Sequence, residues 1–243
     1  MDKEVDISGR SVVVAIPCVD GTIDIRIAIA LLNATHLLAQ YGVKLAVTHM
    51  SYCSSISRAR NALANAFLKT DFTDLLFIDD DTVSDARSIV QIMAKATGRD
   101  IVAGAVPILK GDGKSYRFKP VVTDSIEPND EGLIEVERVG TAFMCIRRHV
   151  LESLSGSVDS YWVDQSQEHH KRFFSEEYDE AGAFWGEDYF FCKEAVADGH
   201  RIWVDVDIAF SHVKKIDLKG HFRQDIPGMT ILDGDEATKG KPK

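Results

Sequence analysis

The chain has 243 residues, 45% hydrophobic and 27% charged, which is enough apolar material for a full core and excludes disorder throughout. A formal net charge of -10 argues against a protein that coats nucleic acid, and no apolar run approaches the roughly 18 residues needed to span a bilayer. Cys18, Cys53, Cys145 and Cys192 are far apart with no Cys-x-x-Cys pair, and the acidic N-terminus has no signal-peptide apolar region, so reduced thiols and a cytoplasmic location are expected.

Residues 11–17 are a β-branched run ended by Pro17, read as a buried first strand with a turn through Cys18, Asp20 and Gly21 at its carboxyl end. From 23 to 41, Ile27, Leu31, Ala34, Leu38 and Tyr41 recur at helical spacing, and Gly42 is placed to end that helix. Residues 43–48 read as a second strand. Ser55 or Ser57 caps a helix to about residue 69, with Ala59, Leu63, Ala66 and Phe67 expected inward. The run Leu75 to Ile78 reads as a third strand, buried on both faces, and a helix over 86–96 follows it. Residues 100–107 are a fourth strand. This alternation predicts a parallel sheet flanked by helices, an α/β fold.

After Pro107 the pattern changes. Residues 110–119 read as a mobile loop, and 119–123, 133–139 and 142–147 as short strands of an antiparallel extension, followed by a helix over 149–154. Residues 156–185 are polar, aromatic and unperiodic, which predicts a long functional loop. With residues 108–117 it is expected to order when ligands bind. Gly186, Glu187 and Asp188 open a helix to residue 198, and 201–205 and 209–213 are further strand candidates. The tail beyond about residue 232 is expected to be frayed.

The chemistry centres on Asp79, Asp80 and Asp81, three carboxylates at the end of a buried strand, where open α/β sheets place ligands. Their mutual repulsion becomes binding when a divalent cation sits among them, since hard cations prefer carboxylate oxygens. The alternative is a solvated acidic turn capping the next helix. Asp79, Asp81 and Val83 also satisfy the Asp-x-Asp-x-Thr/Val motif of haloacid-dehalogenase-type phosphotransferases. Those enzymes carry it on their first strand, whereas two strands and two helices precede it here.

In order along the chain stand Ala-Ile-Pro17-Cys, Ser57-Arg58-Ala59-Arg60-Asn61, Leu-Phe-Ile-Asp79-Asp80-Asp81, Val-Gly140-Thr141-Ala-Phe-Met, Gly186-Glu187-Asp188-Tyr-Phe-Phe-Cys, Ile-Trp-Val-Asp205 and Ser-His212-Val. With these motifs, residues 12–222 resemble GT-A-fold glycosyltransferases, in particular family-2-like enzymes of bacteria and large viruses. The resemblance implies a GT-A fold, a single domain over 1–232 (nucleotide-binding half 11–107, acceptor and catalytic half 108–222) and a flexible tail over 233–243. It implies a nucleotide-sugar donor (UDP- or GDP-sugar) and Mn²⁺ or Mg²⁺ as cofactor. The acceptor would be a hydroxyl on a glycan, a lipid-linked glycan or a modified nucleic acid.

Residue by residue, Asp79 would face the nucleoside, Asp81 would hold the metal with His212, and Asp80 is the intervening acid. Asp188 would be the general base of an inverting transfer, supported by Glu187. Pro17 and Asp20 would border the donor, Arg58, Arg60 or Asn61 would contact the nucleotide or its phosphates, and Gly140 and Thr141 would lie under the donor sugar. Trp185 is placed to stack on a sugar. Where the family often has glycine after the late histidine, Val213, Lys214 and Lys215 stand here, and Lys214 would contact the diphosphate or lie on the surface. The cluster His169, His170, Lys171 and Arg172, with Arg147, Arg148 and Lys219, would favour an anionic acceptor or form a solvated basic loop. A non-catalytic relative that binds nucleotide or glycan is the further alternative.

Overall fold

In the computed structural model, β1 (Ser11–Cys18) is buried along almost its whole length and leads to α1 (Ile25–Ala39), whose first turn is capped by Asp24 accepting the Arg26 N–H at 2.9 Å. Gly42, at φ 70°, supplies the left-handed turn that returns the chain to β2 (Lys44–Ser51), parallel to β1 with Ser11 opposite Lys44. Ser55 caps α2 (Ile56–Leu68), and the fully buried β3 (Asp74–Ile78) follows. Then come β4 (Thr82–Val83), α3 (Ala86–Lys95) capped by Asp85, and β5 (Ile101–Gly104). Next are β6 (Pro107–Lys110), β7 (Gly113–Tyr116), β8 (Phe118–Pro120), β9 (Leu133–Val139), β10 (Phe143–Arg147) and α4 (Arg148–Leu154). The chain continues through β11 (Ser160–Val163), β12 (Glu168–Lys171), β13 (Glu177–Tyr178), β14 (Phe184–Trp185), α5 (Glu187–Ala197), β15 (Ile202–Asp205) and β16 (Ser211–His212). The structure describes residues 5–110, 113–121 and 126–214, and all these elements belong to one unit, Met1–Val213, with Lys214–Lys243 a second. The expected tail lies outside the described residues.

The main sheet has the order β2-β1-β3-β10-β5-β15-β9-β8. Strands β2, β1, β3, β5 and β15 are mutually parallel, whereas β10 and β9 run against them. Side-chain alternation divides the core into two layers. Val13, Ala15, Leu75, Phe77, Ile101 and Ala103 pack with α2, α4 and α5 on one face. Val12, Val14, Ile16, Leu76, Ile78 and Val102 pack with α1 and α3 on the other.

The first half of the chain follows the expected alternation, with one difference. The fourth parallel strand, β5, does not lie beside β3, because β10 is inserted antiparallel between them. Phe143, Met144, Cys145 and Ile146 are all fully buried, which a central strand allows and an edge extension does not.

Both expected loops are built structure. Residues 107–110 and 113–116 pair as the antiparallel β6 and β7. Residues 156–185 contain the β11–β12 and β13–β14 hairpins and send Phe173 and Phe174 into the core. There Phe174 stacks on Phe191, centroids 4.8 Å apart, and meets Phe77 edge-on at 5.5 Å. The inward face of α2 differs too: Ala66 is exposed, while Arg60, Asn61 and Asn65 are buried. Tyr41 lies beyond α1 and is 53% exposed, because α1 ends at Ala39 and the turn carries the ring outward.

Candidate active site

Strand β3 is buried up to Ile78, after which the Asp79 N–H donates to the Ala142 carbonyl at 3.0 Å and the Thr82 N–H to the Asp79 carbonyl at 3.0 Å. The chain turns as it leaves the sheet, so Asp79, Asp80 and Asp81 stand half-buried at its carboxyl edge. The β4–β16 pairing sets His212 opposite Thr82, and the Val213 N–H donates to the Asp81 carbonyl at 2.8 Å. His212 Nε2 thereby reaches Asp81 Oδ2 at 3.1 Å, while Nδ1 lies 2.7 Å from the Pro107 carbonyl oxygen. The carbonyl can only accept, so Nδ1 carries a proton, and Nε2 faces a carboxylate oxygen. A cation between Nε2 and Oδ2 would take a lone pair from each. The donor set of this pair fits a divalent ion.

A buried arginine ties this strand end to the start of α5. Arg60, 3% exposed on α2, donates from Nη2 to both Asp79 oxygens (2.8 and 3.1 Å), and its Nη1 lies 3.3 Å from Glu187 Oε1. The Glu187 contact has the distance of an ion pair without hydrogen-bond alignment, and both Arg60 Nε and Nη1 are buried and lack a hydrogen-bond partner. Gly186 is the N-cap of α5, so Glu187 and Asp188 occupy its first turn, favoured by the helix dipole. Burial pushes the Asp188 carboxyl above the ordinary range, against the Tyr189 N–H and Arg60, which favour its charged form. Burial also raises Glu187; Arg60 opposes this and the neighbouring Asp188 adds to it. Asp188 Oδ1 accepts the Tyr189 N–H at 2.8 Å, and a Cβ on Gly140 would stand 3.6 Å from Oδ2. Glycine therefore keeps that face of the carboxylate open. The adjacent Thr141 is 1% exposed with its hydroxyl lacking a hydrogen-bond partner.

The carboxyl end of β1 closes the other side. Pro17 is buried, and exposed Asp20 holds the following turn by accepting from Thr22 N (3.0 Å) and Oγ1 (2.6 Å). Cys18, Asp20 and Asp80 bring a sulfur and two carboxylate oxygens within 4.8 Å of one another. Burial raises the Asp80 carboxyl, which Cys18 opposes and Asp81, Asp79 and Asp20 reinforce. Beside Cys18, between α1 and β2, lies an apolar cavity of about 460 Å³ lined by Ile16, Ile23, Leu31 and Val47.

Tyr52 is the residue that sequence reasoning missed. It is 82% exposed at φ 59°, its N–H donates to the Cys18 carbonyl at 3.1 Å, and its ring crosses Gly21, where an added Cβ would lie 2.7 Å from the hydroxyl. A left-handed tyrosine carries backbone strain of the kind that collects at ligand sites. The sequence offers only an aromatic following the second strand.

Several expected residues are placed elsewhere. The Asn61 amide is occupied by the backbone of Phe174, donating to its carbonyl at 2.8 Å and accepting its N–H at 2.9 Å, so it anchors the 156–185 segment rather than facing a nucleotide. Arg58 is exposed and donates to Gln165 at 3.1 Å. Arg147 and Arg148 lie at the other end of β3, because β10 is antiparallel and sets Arg147 opposite Asp74. Arg147 pairs with Asp74 at 3.1 Å and Arg148 binds the Phe72 carbonyl at 2.6 Å. Within the basic run, His170 lies 3.0 Å from Glu168, and Arg172 pairs with Asp159 and Glu177. Trp185 is half-buried, bonded to Asp179, with Arg138 5.0 Å above its ring. Lys214 is exposed and belongs to the second unit; Lys215 and Lys219 lie outside the described residues. Asp79 follows the third strand and is paired with Arg60, which is not the free first-strand nucleophile a haloacid-dehalogenase-type reaction requires.

The fold and this carboxylate-rich edge define a GT-A architecture. Among solved structures the chain is similar to GalNAc-T7 with UDP, GalNAc and Mn²⁺, at 11% identity and a TM-score of 0.50, over 89% of this chain and 45% of that one. It thus spans less than half of that structure's length. Similarity also extends to Staphylococcus aureus TarS in complex with UDP-GlcNAc (15% identity, TM-score 0.46, 86% of this chain and 60% of that). A Drosophila β1,4-galactosyltransferase 7 mutant with manganese, UDP-Gal and xylobiose is a further neighbour (12% identity, TM-score 0.41, 96% and 81%). The fold assignment rests on the first. No protein-family model matches the sequence, and no curated protein is similar to it in sequence. No helix among the described residues is long and apolar enough to cross a membrane.

Proposed function

We propose that this protein is a metal-dependent, inverting glycosyltransferase that moves a sugar from a nucleoside diphosphate to a hydroxyl acceptor. The observation that carries the reading is the Arg60 bridge. It joins Asp79, beside the Asp81–His212 pair, to Glu187, beside Asp188, so a cation-binding edge and a raised-pKa carboxylate share one site. Asp81 Oδ2 and His212 Nε2 would hold the ion, and a mixed oxygen and imidazole set suits Mn²⁺ better than Mg²⁺, which favours oxygen alone. A divalent ion bound there supplies positive charge against the departing diphosphate. Asp79 and Asp80 line the nucleoside side with Pro17 and Asp20, and Tyr52 offers a ring for the base. Gly140 and Thr141 give the sugar a close approach. Asp188 takes the proton from the acceptor hydroxyl as its oxygen bonds to the anomeric carbon and the bond to the diphosphate breaks. A carboxyl raised by burial is the better base for that step, and Glu187 with Arg60 holds the helix start in position.

The test is donor binding and turnover with the intact chain. UDP- and GDP-sugars are titrated by calorimetry with Mn²⁺ and then with chelator, and nucleotide release is followed with candidate glycan acceptors. Metal-linked binding and Asp188-dependent release are expected. Donor binding without release for every acceptor would indicate a non-catalytic binding relative, and no metal-linked nucleotide binding would overturn the reading. UDP- or GDP-linked donors, glycan or lipid-linked acceptors and a cytoplasmic site of action remain the proposed setting.

A further inference from the structure

At the end of the sheet opposite the carboxylate triplet, three metal-ligating side chains converge from three separate elements. Asp100 immediately precedes β5, His149 sits in the first turn of α4, and His200 stands two residues before β15. Strands β5 and β15 are parallel neighbours, so their amino ends lie side by side, and β10 delivers α4 to the same edge. His149 Nε2 is 2.8 Å and His200 Nδ1 3.8 Å from the same oxygen, Asp100 Oδ1, and the three ligand atoms all lie within 4.8 Å of one another. A tetrahedral ion with bonds of about 2.0–2.1 Å sets its ligand atoms roughly 3.3 Å apart, between those two spacings.

The surroundings are those of a ligand set with outer support. Asp100 Oδ2 accepts the Arg201 N–H at 3.0 Å, which fixes the carboxylate and turns Oδ1 toward the histidines. On the far side of the 13%-exposed His200 ring, buried Nε2 lies 3.2 Å from Asp198 Oδ2, too bent for a hydrogen bond as it stands, and Ser153 Oγ donates to that same oxygen at 2.5 Å. An ion held on Nδ1 would leave the ring proton on Nε2, beside the Asp198 carboxylate, with the Nδ1 lone pair directed at Asp100. Lone pair and carboxylate then face each other across 3.8 Å, a gap that a cation bridges.

We propose that Asp100, His149 and His200 bind a zinc-class transition-metal ion, with Asp198 as the positioning residue behind His200. Two imidazoles and one carboxylate select zinc-class ions over Mg²⁺ and Mn²⁺, leaving one coordination position for water. Such an ion ties the start of α4 to the starts of β5 and β15 and is separate from the donor site. On binding, the His149 Nε2 proton is released to water or replaced by one on Nδ1, and nothing is oxidised or reduced.

The test uses the full chain in an Asp81→Asn, His212→Asn background, so that the proposed donor site cannot take the ion. Chelator-treated protein is titrated with Zn²⁺ against a chromophoric chelator, and with Co²⁺ to record visible d–d bands. One equivalent is expected, lost on adding His149→Ala, a change at a ring 54% exposed. Asp198→Asn is expected to weaken binding about 10–100-fold while circular dichroism and the metal-free melting temperature stay at the background values. Zn²⁺ should raise the melting temperature of the background protein and leave the His149→Ala protein unmoved. Stoichiometry and affinity unchanged by His149→Ala, or no uptake in the background protein, would overturn the site. Neither outcome bears on glycosyl transfer.

Discussion

Replacing Arg60 by methionine probes the link on which the functional reading depends. Methionine keeps much of the stem that packs near the Phe77 ring, 5.8 Å from the guanidinium carbon, and removes the charge between Asp79 and Glu187. Breaking a fully buried pair by removing one partner costs about 3–5 kcal/mol. The Asp79 and Glu187 side chains keep 24% and 15% exposure, so water recovers part of that, and a loss of roughly 2–3 kcal/mol at pH 7.5 is expected. At this chain length that corresponds to a melting point lower by about 5–10 °C. The pH dependence gives the sharper readout. Glu187 and Asp188 are raised above their ordinary values of 4.5 and 3.8, so the folded state binds their protons more tightly than the unfolded chain. Their charge therefore destabilises the fold at high pH, and the penalty disappears as pH falls through the raised values. Loss of Arg60 raises both further, so the variant's deficit should be largest well above the carboxylate range and shrink as pH falls toward 4.5 and 3.8. Urea unfolding at a series of pH values, with and without Mn²⁺, measures this, and Mn²⁺ should recover part of the loss. A deficit below about 1 kcal/mol, or one that does not shrink as pH falls toward 4.5, would refute the claim that Arg60 holds this cluster of carboxylates together.

Asp188→Asn should bind donor and metal as the parent does while turnover falls by about 10²–10⁴, the usual share of a general base, measured by nucleotide release. In the parent protein the acid limb of kcat against pH should lie above 3.8, because Asp188 must be ionised to accept the proton and burial raises it; a limb at or below that value would remove Asp188 from the role. His212→Gln should weaken nucleotide binding in Mn²⁺ and leave binding in chelator unchanged, as calorimetry would report; equal affinities in both conditions would rule out the ion at Asp81. Gly104→Ala sets a Cβ 2.3 Å from the Phe210 ring, two residues before His212, and should cost about 1–3 kcal/mol by overpacking and lower metal-linked affinity with it. Unchanged urea unfolding would mean that Phe210 moves aside freely.

The apolar runs of β1 and β3, the 3.6-residue spacing of α1 and the caps Ser55 and Asp85 are local features, and period and capping chemistry alone placed those elements to within a residue or two. The acidic triplet was legible for the same reason, since a buried strand must end before charge begins. Local pattern does not encode strand neighbours, so the insertion of β10 between β3 and β5, which carries Arg147 and Arg148 away from the triplet, was decided by packing. Segment 156–185 has no period because its order comes from two short hairpins and from Asn61, 113 positions away from Phe174 in sequence. Arg60 likewise reads in the sequence as a contact to the nucleotide or as a solvated helix position, not as a buried bridge between two carboxylates. Only the arrival of β3 and α5 on either side, bringing Asp79 and Glu187, makes its burial favourable. Asp100, His149 and His200 are each about 50 residues apart in sequence, and their meeting follows from the pairing of β5 with β15 and with β10, which leads into α4; no single stretch of the chain specifies it.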